Sequence, residues 1–373
     1  MGSFFTKPFQ PHHLLQQIGD LQYENTKSRI ALQAANSKIE ALKAKLSPKN
    51  PEEARVLQTI SETKATGAYE NLVLEGGGTK GLAYCGALRV LDRRGILGRL
   101  KRYAGSSAGA ITATLLAVGY TPGEMETIIG ATDFGAFVDD KPGFLRDAYK
   151  VLNEWGMASG DYFHGFMGDL IKAKTGNPDT TFAELEALNG KTLVITGTDV
   201  SSMQCRYYCA QLTPDMSVRQ AVRISMSIPF MFTPVQDEDG CLHVDGGIVD
   251  NYPIHAFDGS YPGDEAALLN LCPSCPKTLG LKILTPEEDV GFRITTRPPP
   301  IKSLKDFAMA IMSTLMVANE RKHLRPSYWK RTVVIKVADL PLTKFDLSDE
   351  EKHDLVKAGE DGAIRFFAKL GEE

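Results

Sequence analysis

The chain opens on a period-seven pattern. From Leu14, apolar residues fall at alternating steps of four and three: Leu14, Ile18 and Leu21, then Leu32, Ala35, Ile39, Leu42 and Leu46. Asn25 and Ser28 hold the intervening positions of the same register, so a seam of roughly five heptads carries one polar interruption. Two readings stay open: a coiled coil that makes a homo-oligomer through residues 14–46, or one long helix laid on the rest of the chain. Pro48 and Pro51 stop the helix, and a polar linker runs to about Ala68.

Beyond the linker the pattern changes. Short apolar runs suited to buried strands occur at Asn71–Glu75, Arg102–Ala104, Thr192–Thr196, Leu242–Val244, Thr278–Leu284 and Thr332–Val337. Helical patterns at Leu82–Arg93 and Ala108–Val118 interleave with them. Strands alternating with helices predict an α/β fold with a mostly parallel central sheet. Pro298-Pro299-Pro300 makes a stiff break before an apolar, Met-rich helix at Phe307–Ala318, and Ser348–Leu370 reads as a terminal amphipathic helix. The division expected is 1–68 as helical extension and linker, 69–340 as the main domain and 341–373 as a helical tail.

Composition narrows the function classes. At 43% hydrophobic and 24% charged the chain is globular rather than disordered. A net charge of −4 gives no reason to expect a nucleic-acid partner. No apolar run is long enough to cross a bilayer, and Met1-Gly2-Ser3-Phe4-Phe5-Thr6 leads into no secretory signal. That start fits both the loose myristoylation pattern and a cloning scar. The six cysteines, including Cys205, Cys209 and the lone pair Cys272 and Cys275, read as scattered reduced thiols in a cytoplasmic setting rather than a disulfide framework or a zinc site. No metal or cofactor is expected.

Charge matters locally. Between Gly291 and Arg331 nine basic residues face only Asp306 and Glu320, a local charge of +7 that brackets the Met-rich stretch. Such flanks would draw the chain to an anionic lipid surface as a peripheral contact. A core helix with solvated charges at its ends is the plainer reading.

Three motifs carry candidate chemistry. Gly76-Gly77-Gly78-Thr79-Lys80-Gly81 lies between a strand and a helix, where glycines let backbone N–H groups point at developing negative charge. It also fits the loose dinucleotide pattern, although the acidic residue expected about 20 positions on is only loosely supplied by Asp92. Gly105-Ser106-Ser107-Ala108-Gly109 is a G-x-S-x-G sequence, whose small residues permit a strained turn that presents the central hydroxyl. Asp245-Gly246-Gly247 follows a strand and could fix a carboxylate as a base, though alone it is an ordinary turn sequence.

In this order the trio resembles the patatin-like phospholipase family over roughly Tyr69 to Ile254. The segment Ser225-Met226-Ser227-Ile228-Pro229 is similar to the family's stretch ahead of its aspartate. The resemblance implies a three-layer α/β/α patatin-like fold and a lipid acyl hydrolase acting on glycerolipid or phospholipid esters. Ser107 would be the nucleophile and Asp245 its base. Gly77 and Gly78 would line the oxyanion hole, with Lys80 in the family's basic position. The chain departs from the pattern at Glu75, where aspartate is common, and at Lys80, where arginine is. Two alternatives remain: a Ser-His-Asp hydrolase drawing on His243, His255, His323 or His353, and a nucleotide-binding or scaffold module using the glycine loop.

Removing residues 1–50 is expected to leave hydrolysis of a soluble ester largely intact. Sedimentation of both forms decides the role of the heptad segment. An unchanged oligomeric state after truncation excludes the coiled coil.

Overall fold

The computed structural model describes residues 69–137, 154–257, 277–285, 331–338 and 344–369, with a few single positions between 301 and 340. The heptad segment 14–46, Cys272 and Cys275, His323 and nearly all of the basic segment lie outside these residues. The chain divides into two compact units, Met1–Ala65 and Thr66–Glu373, and every described residue belongs to the second.

Ten strands are described: β1 (Asn71–Leu74), β2 (Arg102–Gly105), β3 (Gly156–Ala158), β4 (Thr192–Asp199), β5 (Gln204–Tyr208), β6 (Phe230–Phe232), β7 (Val235–Gln236), β8 (Leu242–Asp245), β9 (Thr278–Leu284) and β10 (Thr332–Lys336). Eight form one sheet in the order β10-β9-β1-β2-β4-β8-β7, with β5 also on β4, while β3 and β6 make a separate parallel pair. From β10 to β4 every pairing is parallel; β5, β7 and β8 run antiparallel to their neighbours. Residues along β1, β4 and β9 are buried without alternation, so both sheet faces are covered. That explains the continuous apolar runs of β1 and β9.

Seven helices complete the described part: α1 (Ala83–Arg93), α2 (Ala108–Val118), α3 (Pro122–Ala131), α4 (Asp161–Thr175), α5 (Phe182–Asn189), α6 (Val218–Ser225) and α7 (Asp349–Lys369). Sequence sets several of their ends. Thr121 with Glu124 and Thr181 with Glu184 form capping boxes that start α3 and α5. Gly119, at φ 104°, closes α2 in the left-handed region that favours glycine. Helix α2, apolar nearly all round, packs on β1, β2 and β4 and is buried along almost its full length. No helix of the described residues is long and apolar enough to cross a membrane.

The terminal helix α7 lies inside the second unit, against α1 and β10. Its approach to α1 is set by glycines on both sides. A Cβ on Gly86 would overlap the Val356 carbonyl, and one on Gly359 would overlap the Ala83 carbonyl. Phe367, buried, anchors the end of α7 beneath the Arg94 guanidinium at 4.4 Å.

Gly359→Ala tests this contact. Helix propensity favours alanine by about 1 kcal/mol. The overlapped atoms are backbone and cannot swing aside, and overpacking costs about 1–3 kcal/mol. The variant is therefore expected to unfold at lower urea with an unchanged slope. A higher midpoint would mean that the helices separate freely.

Candidate active site

The position of the site follows from strand β4. Ile195 pairs with both Gly105 of β2 and Tyr208 of β5, and Gly197 pairs with both Asp245 of β8 and Arg206 of β5. Because β5 lies on one edge at both positions, β2 and β8 share the other edge and meet there head to head. The two chains turn away from the sheet two β4 positions apart, one into Ser107 and the other into Gly246. This is the carboxyl end of the parallel strands, where open α/β sheets place their ligand crevices.

Ser107 caps α2 with φ 49° and ψ −122°, a backbone conformation that a side-chain-bearing residue holds only when its surroundings impose it. Its flanking glycines make the turn possible. A Cβ on Gly105 would overlap the Gly109 carbonyl, and one on Gly109 would overlap the Leu74 carbonyl. The Ser107 N–H donates to Ser225 Oγ at 2.9 Å, and its carbonyl accepts from Ala110 at 2.9 Å and Ile111 at 3.1 Å. The positive end of α2 thus lies beside the hydroxyl.

Asp245 is 2% exposed. Its Oδ1 accepts the Gly247 N–H at 2.7 Å, and its Oδ2 has no hydrogen-bond partner among the described residues. Burial pushes its pKa up to about 7, with the Gly247 N–H and the neighbouring Ser107 side chain pulling the other way. The main chain is held on both sides: Asp245 N–H donates to the Ser227 carbonyl at 2.9 Å, and Thr198 Oγ1 donates to the Asp245 carbonyl at 2.9 Å. Gly246 packs so closely on Thr196 that a Cβ there would overlap its hydroxyl.

The glycine loop completes the group. Gly76 faces Ser107, with an added Cβ falling 3.1 Å from Ser107 Cβ and overlapping Asn251 Oδ1. Asn251 clamps it in both directions: Gly76 N–H donates to the Asn251 carbonyl at 3.0 Å, and Asn251 Nδ2 donates to the Gly76 carbonyl at 3.2 Å. Gly77 lies against Ile283, and Gly78 is left-handed at φ 57°. Neither N–H donates to a described residue. Gly81 meets Ala108, so the turn Gly78–Leu82 packs on the start of α2. Lys80 is 8% exposed and makes no ion pair with a described residue. Glu75, just before the loop, is buried and takes the Lys282 ammonium and the Ile283 N–H at 2.8 Å.

The candidate histidines among the described residues are engaged elsewhere or exposed. His243 bonds Tyr208 at 3.0 Å and Asp237 at 2.8 Å; His255 lies 3.3 Å from both Tyr207 Oη and Asp250 Oδ2. His353 is exposed on α7. Among the described residues no histidine hydrogen-bonds to Ser107 or Asp245. Sequence reasoning did not find the roles of Ser225, Ser227 and Asn251, which contribute bonds to the backbone of the site. Only the first two had drawn notice, as part of a motif.

Comparison with known proteins gives a consistent picture. A family model described as patatin-like phospholipase matches residues 72–258. The chain is 30% identical over 302 residues to an uncharacterized protein of Acanthamoeba polyphaga mimivirus, covering 80% of this chain and 93% of that one. It is 27% identical over 186 residues to a probable lipid hydrolase of Invertebrate iridescent virus 6, covering 50% of this chain and 62% of that one. The crystal structure of VipD from Legionella pneumophila shares the fold, with a TM-score of 0.52 at 20% identity over 81% of this chain and 67% of that one.

The raised pKa of Asp245 has a consequence for stability. An unfolded aspartate titrates near ~3.9, well below the folded value of about 7. The group's contribution is therefore full below the unfolded pKa and is lost as pH rises through about 7. Asparagine cannot ionise and can still accept from Gly247. Asp245→Asn is expected to gain stability over the wild type as pH rises, which urea unfolding at acidic, neutral and alkaline pH will read. A gap between the two that stays constant with pH is the contrary result.

Proposed function

Because this chain belongs to the patatin-like phospholipase family, we propose that it cleaves carboxylic esters of glycerolipids, in the manner of a phospholipase A or lysophospholipase, with Ser107 as nucleophile and Asp245 as base. The observation that carries this reading is the meeting of β2 and β8 on one edge of β4, which brings a strained serine and a buried carboxylate together.

Ser107 Oγ attacks the ester carbonyl as Asp245 takes its proton. The charge that develops on the carbonyl oxygen is met by the N–H groups of Gly77 and Gly78, helped by the N-terminus of α2. Asp245 then returns the proton to the leaving alcohol, and water hydrolyses the acyl-enzyme by the same route in reverse. A carboxylate with a pKa near 7 is matched to a base working at neutral pH. Lys80 supplies the basic position beside the loop. The domain assignment is 69–340 for catalysis, with 1–68 as extension and 341–373 as the tail that covers α1. Lipid-surface contact through the basic segment and self-association through residues 14–46 belong to the same proposal, as does a cytoplasmic setting. The triad alternative has less support, because His243 and His255 are engaged elsewhere and His353 is exposed.

Ser107→Ala and Asp245→Asn are expected to abolish hydrolysis of a soluble ester and labelling by a fluorophosphonate. In the wild type, kcat/KM should fall on acidification through about pH 7 as Asp245 protonates. Gly76→Ala should lose about a hundredfold or more, since the added methyl enters the space between Ser107 and Asn251. Gly77→Ala presses only on the movable tip of Ile283 and should lose less. Full activity in Asp245→Asn, with loss in a histidine variant, returns the triad.

A further inference from the structure

We propose that Ser225 is a positioning residue, and that the tripeptide Ser225-Met226-Ser227 sets the separation of Ser107 and Asp245. This rests on the reading of that pair as the reacting groups. Strands β2 and β8 meet end to end on β4 and exchange no ladder bonds with each other, so the sheet alone leaves the gap between their ends loosely determined. The tripeptide spans it. At one end Ser225 Oγ accepts the Ser107 N–H at 2.9 Å; two residues on, the Ser227 carbonyl accepts the Asp245 N–H at 2.9 Å.

Each bond answers a specific need. The N–H of Ser107 lies past the end of β2 and caps α2, and it is buried among groups that offer it no ladder partner. A left-handed serine costs on the order of 1–3 kcal/mol and persists only where its surroundings over-determine it. Ser225, fully buried, supplies that restraint across 118 residues of sequence.

The tripeptide is itself rigid. It continues the last turn of α6 through Met226 N–H to the Val222 carbonyl at 3.0 Å and Ser227 N–H to the Ile224 carbonyl at 2.9 Å. The buried Arg223 guanidinium donates to Ser227 Oγ and to the carbonyls of Ser159 and Thr233, which fixes the segment to β3 and β6. Ser227 Oγ in turn donates to the Arg223 carbonyl at 2.6 Å. A helix end anchored in this way can transmit a fixed spacing to the backbones of the two loops, which exchange no ladder bonds.

The test compares Ser225→Ala, Ser225→Thr and Ser225→Val in the full chain. Thr and Val match in volume and differ in the hydroxyl, so their comparison separates the hydrogen bond from packing. Readouts are kcat and KM on a soluble nitrophenyl ester, the rate of fluorophosphonate labelling, and urea unfolding. Ser225→Ala is expected to lower kcat and labelling by roughly ten- to a hundredfold, with KM within about twofold. Ser225→Thr should exceed Ser225→Val by about tenfold in kcat. A folded Ser225→Ala with wild-type kcat overturns the proposal, and so do equal rates for Thr and Val. A reactive wild type with a dead Ser107→Ala confines that failure to the tripeptide. A wild type that neither labels nor hydrolyses removes the reading of Ser107 and Asp245 beneath it.

Discussion

The organising constraint is that one edge of β4 is divided between two strands of opposite direction. Parallel β2 occupies the first half of that edge and antiparallel β8 the second, while β5 runs along the other side. Both strands must leave the sheet where they meet, because neither can continue without displacing the other. The two turns are thereby forced together, and each is closed by a backbone so near its neighbour that only glycine fits. Strand β4 also supplies the local supports. Thr198 bonds the Asp245 carbonyl and Thr196 forms the wall against Gly246. The full burial of β4 keeps this arrangement away from water on both faces.

On the far side of Ser107 the glycine loop is fixed by polar groups rather than by packing. Glu75 and Lys282 form a buried ion pair between β1 and β9, and the second Glu75 oxygen takes a backbone N–H. Desolvating two charges costs most of what their attraction returns, so such a pair contributes position more than stability. Its position is the last residue before Gly76, where a slip along β1 would move the whole loop. Asn251 then holds Gly76 itself, five residues beyond Gly246 on the same turn that carries the aspartate. Ser107, Asp245 and the glycine loop are thus tied to one another by a few backbone-directed side chains.

That also decides what could be read from the sequence. The turns at Ser107 and Asp245 and the glycines that close them were legible because strained turns and close backbone approaches restrict which residues can stand at adjacent positions, and such restrictions read as motifs. The apolar strands β1 and β9 were legible from burial on both faces. Strand β4 runs three residues past Thr196, through Gly197-Thr198-Asp199, where Gly197 and Asp199 have little strand propensity and the stretch is held by β5 and β8. Strands β3 and β6 are three residues each and exist by pairing with one another across a long interval. The roles of Ser225 and Asn251 were illegible for a related reason: each bonds the backbone of a residue 118 or 175 positions away. A lone serine or asparagine says nothing of such a partner.

The same geometry bears on how the proposed reaction could use a carboxylate where many serine hydrolases use histidine. Exposed aspartate is too weak a base near neutrality, and here its basicity is raised by burial. Burial disfavours the anion, and the groups that oppose it are the Gly247 N–H and Ser107. In the proposed reaction the proton that Asp245 accepts is the one Ser107 gives up. Neutralising the carboxylate relieves its desolvation in the same step that creates charge on the ester oxygen. The cost of holding an ionised aspartate out of water then becomes part of the driving force for proton transfer, provided the site stays dry. In the proposed reaction a lipid acyl chain bound beside Ser107 would keep it so. His243 and His255, held by Tyr208 with Asp237 and by Tyr207 with Asp250, brace β8 and the turn that follows it. In this arrangement the imidazoles support the backbone that carries Asp245, and neither is bonded to its carboxylate.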